Sequence, residues 1–133
     1  MPGMDSHHGH RRGRGRGRRH RRVMQFLQPC LLLLLRRGEA HGYALLSKLE
    51  HFGFNPERFD PSLVYRALRE MEAADWVRSR WDEESQGPRR RVYALTELGE
   101  GQLVDWIDDL SRTRKEIDLL LKTYEDGDDE RNP

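Results

Sequence analysis

The chain has 133 residues, of which 35% are charged and 35% hydrophobic. That length suits one domain with tails, and so polar a balance confines the core to part of the chain, where association is a common way to bury more surface. The net charge of +1 hides opposed ends: residues 1–22 hold eight arginines and a single acid, Asp5, for a net +7, whereas residues 125–133 carry five acids against Arg131, for −4. Such asymmetry points to a nucleic-acid or membrane partner at the basic end. The one cysteine, Cys30, forms no internal disulfide, which suits a reducing cytoplasm, and its place in an apolar run reads as a core position rather than a reactive thiol.

The chain begins with a low-complexity arm over residues 1–22, expected to be disordered without a partner. Its stretch RRGRGRGRRHRR spaces arginines with glycines, so Arg14, Arg16, Arg18 and Arg19 have no fixed geometry, yet they can follow phosphates or enter a minor groove. His7, His8 and His10 lack any carboxylate or cysteine framework and read as a solvated tail, with no metal or cofactor. The arm followed by VMQFLQPCLLLLL imitates the opening of a signal peptide. However, Arg36 and Arg37 follow the apolar run where a cleavage site should stand, and Cys30–Leu35 falls far short of the ~20 residues that span a bilayer. The expectation is a buried helix of a soluble, cytoplasmic protein.

Residues 23–37 read as the first helix, with Pro29 suited to a first turn and Arg36, Arg37 and Gly38 to the C-terminal end. CLLLLL is apolar on every face, which marks the central helix of a small core. A second helix is expected over about 41–52, with Tyr43, Leu45, Leu46, Leu49 and Phe52 as its stripe and Gly53 closing it. Asp60 before Pro61 is a strong start signal for a third helix over 61–74. Val64, Ala67, Leu68 and Met71 face inward at helical spacing, while Ser62, Tyr65, Arg66, Arg69 and Glu72 lie largely on the other face.

The period then changes. WVRSRW (76–81) and RVYAL (91–95) alternate as strands do, with Gly87-Pro88 breaking the chain between them. This predicts a hairpin with a charged tip. Thr96 can cap a last helix over about 97–124, in which Leu103, Ile107, Leu110, Ile117, Leu121 and Tyr124 keep a 4-3 spacing with Arg114 in the one gap. That is a heptad seam, read as a pairing surface for a second chain against the alternative of a helix lying on its own domain. The acidic remainder, 125–133, is expected to be a disordered tail.

Three short helices and a hairpin make the winged helix–turn–helix layout over 23–95, so the fold class is mostly α with a β-hairpin wing and a long C-terminal dimerisation helix over 96–124. In that layout the second helix of the motif enters the major groove. Arg66 or Arg69 then suits a guanine edge, and Ser62 with the helix N-terminus suits a phosphate. Arg89, Arg90 and Arg91 at the wing suit phosphate or minor-groove contact. The plain alternatives are surface pairing of Arg66 and Arg69 with Glu70 and Glu72, and of the wing arginines with Asp82, Glu83 and Glu84. No paired acids, nucleophile–base set or phosphate loop occurs, so the chain does not read as an enzyme.

LLLLLRRGEAHGYALLSKLE, DPSLVYRALREMEAADWVRSRW and GPRRRVYALTELG, in this order and spacing, resemble the PadR family of bacterial transcriptional regulators over residues 26–101. The resemblance implies a homodimer paired through C-terminal helices that represses promoters at palindromic operators and releases DNA on binding a small, often aromatic, effector. It implies that Tyr65 and its neighbours carry DNA recognition and that Trp106 lies on the helix lining the dimer interface, where it is either interface packing or part of an effector pocket. The chain departs from the family pattern in having Ala74-Asp75 where many members have Gly, and in its arginine-rich arm. Two other readings remain: an arginine-rich nucleic-acid-binding module dominated by the arm, and a winged-helix interaction protein that does not touch DNA.

Overall fold

The structure, a computed structural model, describes residues 26–55, 59–84 and 87–131, the side chains as far as Gly127. The arm, with Arg14, Arg16, Arg18, Arg19 and its histidines, lies outside the described residues.

Residues 26–36 form helix α1 among the described residues. Leu27, Leu31, Leu32, Leu34 and Leu35 are all buried, and Cys30 and Leu33 pack at the margin. A helix apolar all round can only sit at the centre of a small domain, and α1 does. Pro29 is not its first residue, since 26–28 are already helical. Burial pushes the Cys30 thiol up to about 11, so it stays protonated and unreactive near neutral pH.

A two-residue strand, β1 (Ala40–His41), precedes α2 (Gly42–Lys48), whose continuation Leu49–Phe52 tightens into a 3-10 turn. Gly53, at φ 87°, closes it in a left-handed conformation that costs glycine little. Leu45 and Leu49 carry the buried stripe, but Tyr43 is exposed and does not belong to it. Helix α3 (Pro61–Ala73) starts as expected: the Asp60 carboxylate accepts the Ser62 N–H at 3.0 Å, and Pro61 takes the first turn. Val64, Ala67, Leu68 and Met71 are its buried face.

The exit from α3 is built on an unusual residue. The Asp75 N–H donates to the Glu72 carbonyl and the Trp76 N–H to the Met71 carbonyl, with Asp75 at φ 63°. This is a Schellman closure, whose left-handed position normally takes glycine. The Asp75 carbonyl then accepts the Thr96 hydroxyl at 2.6 Å, and the Thr96 Oγ1 accepts the Gly99 N–H at 3.0 Å. One threonine thus ends the α3 turn and caps the final helix.

Strands β2 (Val77–Trp81) and β3 (Arg91–Leu95) form the hairpin, in register from Val77 opposite Leu95 to Trp81 opposite Arg91. The sheet has a third strand that the sequence reading missed: β1 pairs with β3, giving the order β1-β3-β2. Two residues carry no periodicity, so β1 is set by where α1 delivers the chain. Helix α4 (Glu97–Arg131) runs past Tyr124 and takes in most of the stretch expected to be a disordered acidic tail. The apolar seam ends at Tyr124, but a nucleated helix propagates at one hydrogen bond per residue and needs no apolar side chains to do so.

The first turn of helix α4 docks through a close approach at Gly99. A Cβ on Gly99 would overlap the Trp76 carbonyl oxygen, so only glycine lets the first turn lie on the start of β2. Arg36 reaches across from α1 to Glu100 at 3.1 Å. Among the described residues no helix is long and apolar enough to cross a membrane.

Candidate nucleic-acid interface

Four candidate side chains of α3 are exposed together along its outer face: Ser62, Tyr65, Arg66 and Arg69. The helix N-terminus is not an open phosphate seat, because the Asp60 carboxylate already accepts the Ser62 N–H there. That hydrogen bond, with a second from the Ser62 hydroxyl, holds Asp60 below the usual carboxylate range, so the negative charge stays in place and both Ser62 donors are turned to it. Arg66 has a loose pairing with Glu70 at 3.8 Å, exposed on both sides. Arg69 makes no ion pair among the described residues. Glu72, the acid expected to neutralise it, instead accepts the Ser79 hydroxyl at 2.7 Å.

The wing arginines separate in the same way. Arg89 is held by both carboxylate oxygens of Glu83, at 3.1 and 3.2 Å, which is the local pairing expected as the plain alternative. Arg90 uses its backbone carbonyl to accept the Asp82 N–H at 2.7 Å, and its side chain is exposed. Arg91 donates to the Ser79 hydroxyl at 2.6 Å and lies over the Trp81 ring, 4.6 Å from its centroid.

A cleft of about 520 Å³ joins the two elements, lined by His41, Tyr43 and Tyr65 on the helical side and by the three wing arginines with Tyr93 on the other. Tyr65 reaches this position because Gly42 has no side chain: a Cβ there would come 2.5 Å from the ring. His41 faces Asp82 across the cleft wall at 3.0 Å, which ties the start of α2 to the wing. That hydrogen bond, with one from the Glu84 N–H, holds Asp82 below the usual carboxylate range. His41, Tyr43 and Tyr93 were missed as cleft residues. The signal for the first two was the tripeptide HGY, whose glycine makes room for a ring from another helix.

The candidate pairing seam splits. Leu103 is 2% exposed inside the domain core and is not a docking residue. Trp106 packs edge-to-face on Trp76, with ring centroids 5.2 Å apart, and sits half-buried at the core margin. Leu110 is half-buried, whereas Ile107, Ile117, Leu121 and Tyr124 are exposed. A second, larger groove of about 830 Å³ runs along the first turns of α4 beside Trp76, Leu98 and Val104, and Trp106 is not among the residues that line it.

Comparison with known proteins agrees with this architecture. The model of the transcriptional regulator PadR-like family matches residues 31–105. A PadR-like transcriptional regulator from Bacillus cereus superposes with a TM-score of 0.64 at 25% identity, covering 74% of this chain and 94% of that one. The Bacillus subtilis PadR in complex with operator DNA gives a TM-score of 0.55 at 27% identity, over 63% of this chain and 48% of the other. An uncharacterized protein of Lysinibacillus sphaericus is 20% identical over 99 residues, which are 74% of this chain and 91% of that protein.

Proposed function

We infer the activity from one premise: the chain belongs to the PadR-like family of transcriptional regulators, whose model matches more than half of it. It is a winged-helix transcription regulator and not an enzyme. On our reading it binds a palindromic operator as a homodimer and represses the adjacent promoter. The observation that carries this is the exposed outer face of α3, with Tyr65, Arg66 and Arg69 on it, from which Tyr65 lines one cleft together with the three wing arginines. A relative bound to operator DNA supports the same direction. Arg69, which lacks a carboxylate partner among the described residues, is the best-placed side chain for a guanine edge, since such a contact need not break an ion pair.

In this reading Ile107, Leu110, Ile117, Leu121 and Tyr124 form the dimer seam, because all of them but the half-buried Leu110 are exposed among the described residues. Trp106 is taken first as packing on Trp76, with an aromatic effector beside it as the finer proposal. The arm adds affinity through Arg14, Arg16, Arg18 and Arg19 without reading bases. Its loss would weaken binding and flatten the salt dependence by about 0.9 per phosphate contact removed.

Sequence selection of bound duplexes by the full chain is the test. A recovered palindrome whose preference falls about tenfold or more on Arg69→Ala agrees with the reading. Equal binding to random duplex sinks it. Deletion of residues 1–22 separates the alternative: if sequence preference disappears with the arm, the arm is the nucleic-acid-binding module and the winged helix its holder.

A further inference from the structure

The three wing arginines are not equivalent. Arg89 must leave the Glu83 carboxylate before it can hold a phosphate. Arg90 is exposed, with no side-chain hydrogen bond or ion pair holding it among the described residues. Arg91 is held at two points, both by uncharged groups: the Ser79 hydroxyl and the face of Trp81.

This arrangement follows from strand register. Trp81 stands directly opposite Arg91 and Ser79 opposite Tyr93, so Ser79, Trp81, Arg91 and Tyr93 share one face of the hairpin, within reach as direct and diagonal neighbours. Tyr93 is buried there and Arg91 continues the same face outward to the cleft. Ser79 is itself fixed, since its hydroxyl donates to Glu72 near the end of α3 and is left to accept from Arg91. A chain of contacts therefore runs from α3 to the guanidinium. An arginine held by neutral partners keeps its charge uncompensated by a direct ion pair and loses less rotamer freedom on binding an anion.

We propose that Trp81 and Ser79 are positioning residues that hold Arg91 as the wing's fixed contact to a DNA phosphate. The inference rests on the DNA-binding reading above and adds residues that do not themselves touch DNA. Arg91 supplies the charge; the ring and the hydroxyl supply its aim.

A double-mutant cycle on the full chain with its selected operator tests it. Arg91→Ala is expected to weaken binding about tenfold, as loss of a charge-assisted hydrogen bond does, and to lower the salt slope by about 0.9. Trp81→Leu is expected to weaken binding about threefold and Trp81→Phe less, because a ring face remains. In the Arg91→Ala background, Trp81→Leu should change nothing further. An equal loss from Trp81→Leu in both backgrounds would overturn the proposal, since Trp81 would then act without Arg91. If thermal melting finds Trp81→Leu unfolded, the same cycle with Ser79→Ala decides by the same criterion. A wild-type chain without operator preference overturns the DNA-binding reading and this inference together, whereas preference without coupling overturns this inference alone.

Discussion

Leu103 and Leu121 stand on one face of one helix, about five turns apart, yet the first is 2% exposed and the second 55%. The near half of α4 is part of the winged-helix core: Gly99 lies against the Trp76 carbonyl, Leu103 is enclosed, and Trp106 covers Trp76. The far half repeats the same apolar rhythm with Ile117, Leu121 and Tyr124, which stay exposed among the described residues. One periodic signal therefore does two jobs, and periodicity alone cannot say where the first gives way to the second.

Substitutions can break that division, the largest effect first. Leu103→Ala should destabilise the domain by about 2–5 kcal/mol, read as a lowered denaturant midpoint that does not depend on protein concentration. Ile117→Asp with Leu121→Asp should leave the winged-helix core folded while sedimentation finds monomer, and operator affinity should fall about a hundredfold as two linked half-sites become independent. An undiminished dimer after that change would remove α4 from the interface. Gly99→Ala should cost about 1–3 kcal/mol from overpacking against Trp76, whereas Gly101→Ala, two residues on and open to space, should stabilise slightly. Asp75→Gly should raise stability by up to about 1 kcal/mol, because it removes the Cβ from a left-handed position; a melting temperature that falls instead would mean the aspartate side chain contributes there.

Much of the fold was legible because strong local rules agreed. Asp60-Pro61 begins α3, Thr96 caps α4, the alternation of 77–81 and 91–95 makes the hairpin, and CLLLLL lies at the centre. The outer face of α3 was legible for the same reason, since four inward residues at helical spacing leave the others outside. The state of each arginine was not. Whether Arg89 meets Glu83 or a phosphate, and whether Glu72 faces Arg69 or Ser79, depends on distances across elements that no spacing encodes. The cleft behind HGY likewise required α2 and α3 to be packed before Tyr65 could be seen over Gly42.

The sequence by itself determined the order of elements, the caps and the inward faces, because each depends on neighbours within a few residues. Tertiary structure decided the third strand, the inward use of Leu103, and the support of Arg91 by Ser79 and Trp81. Those features join segments far apart in the chain, and only packing brings their atoms within reach.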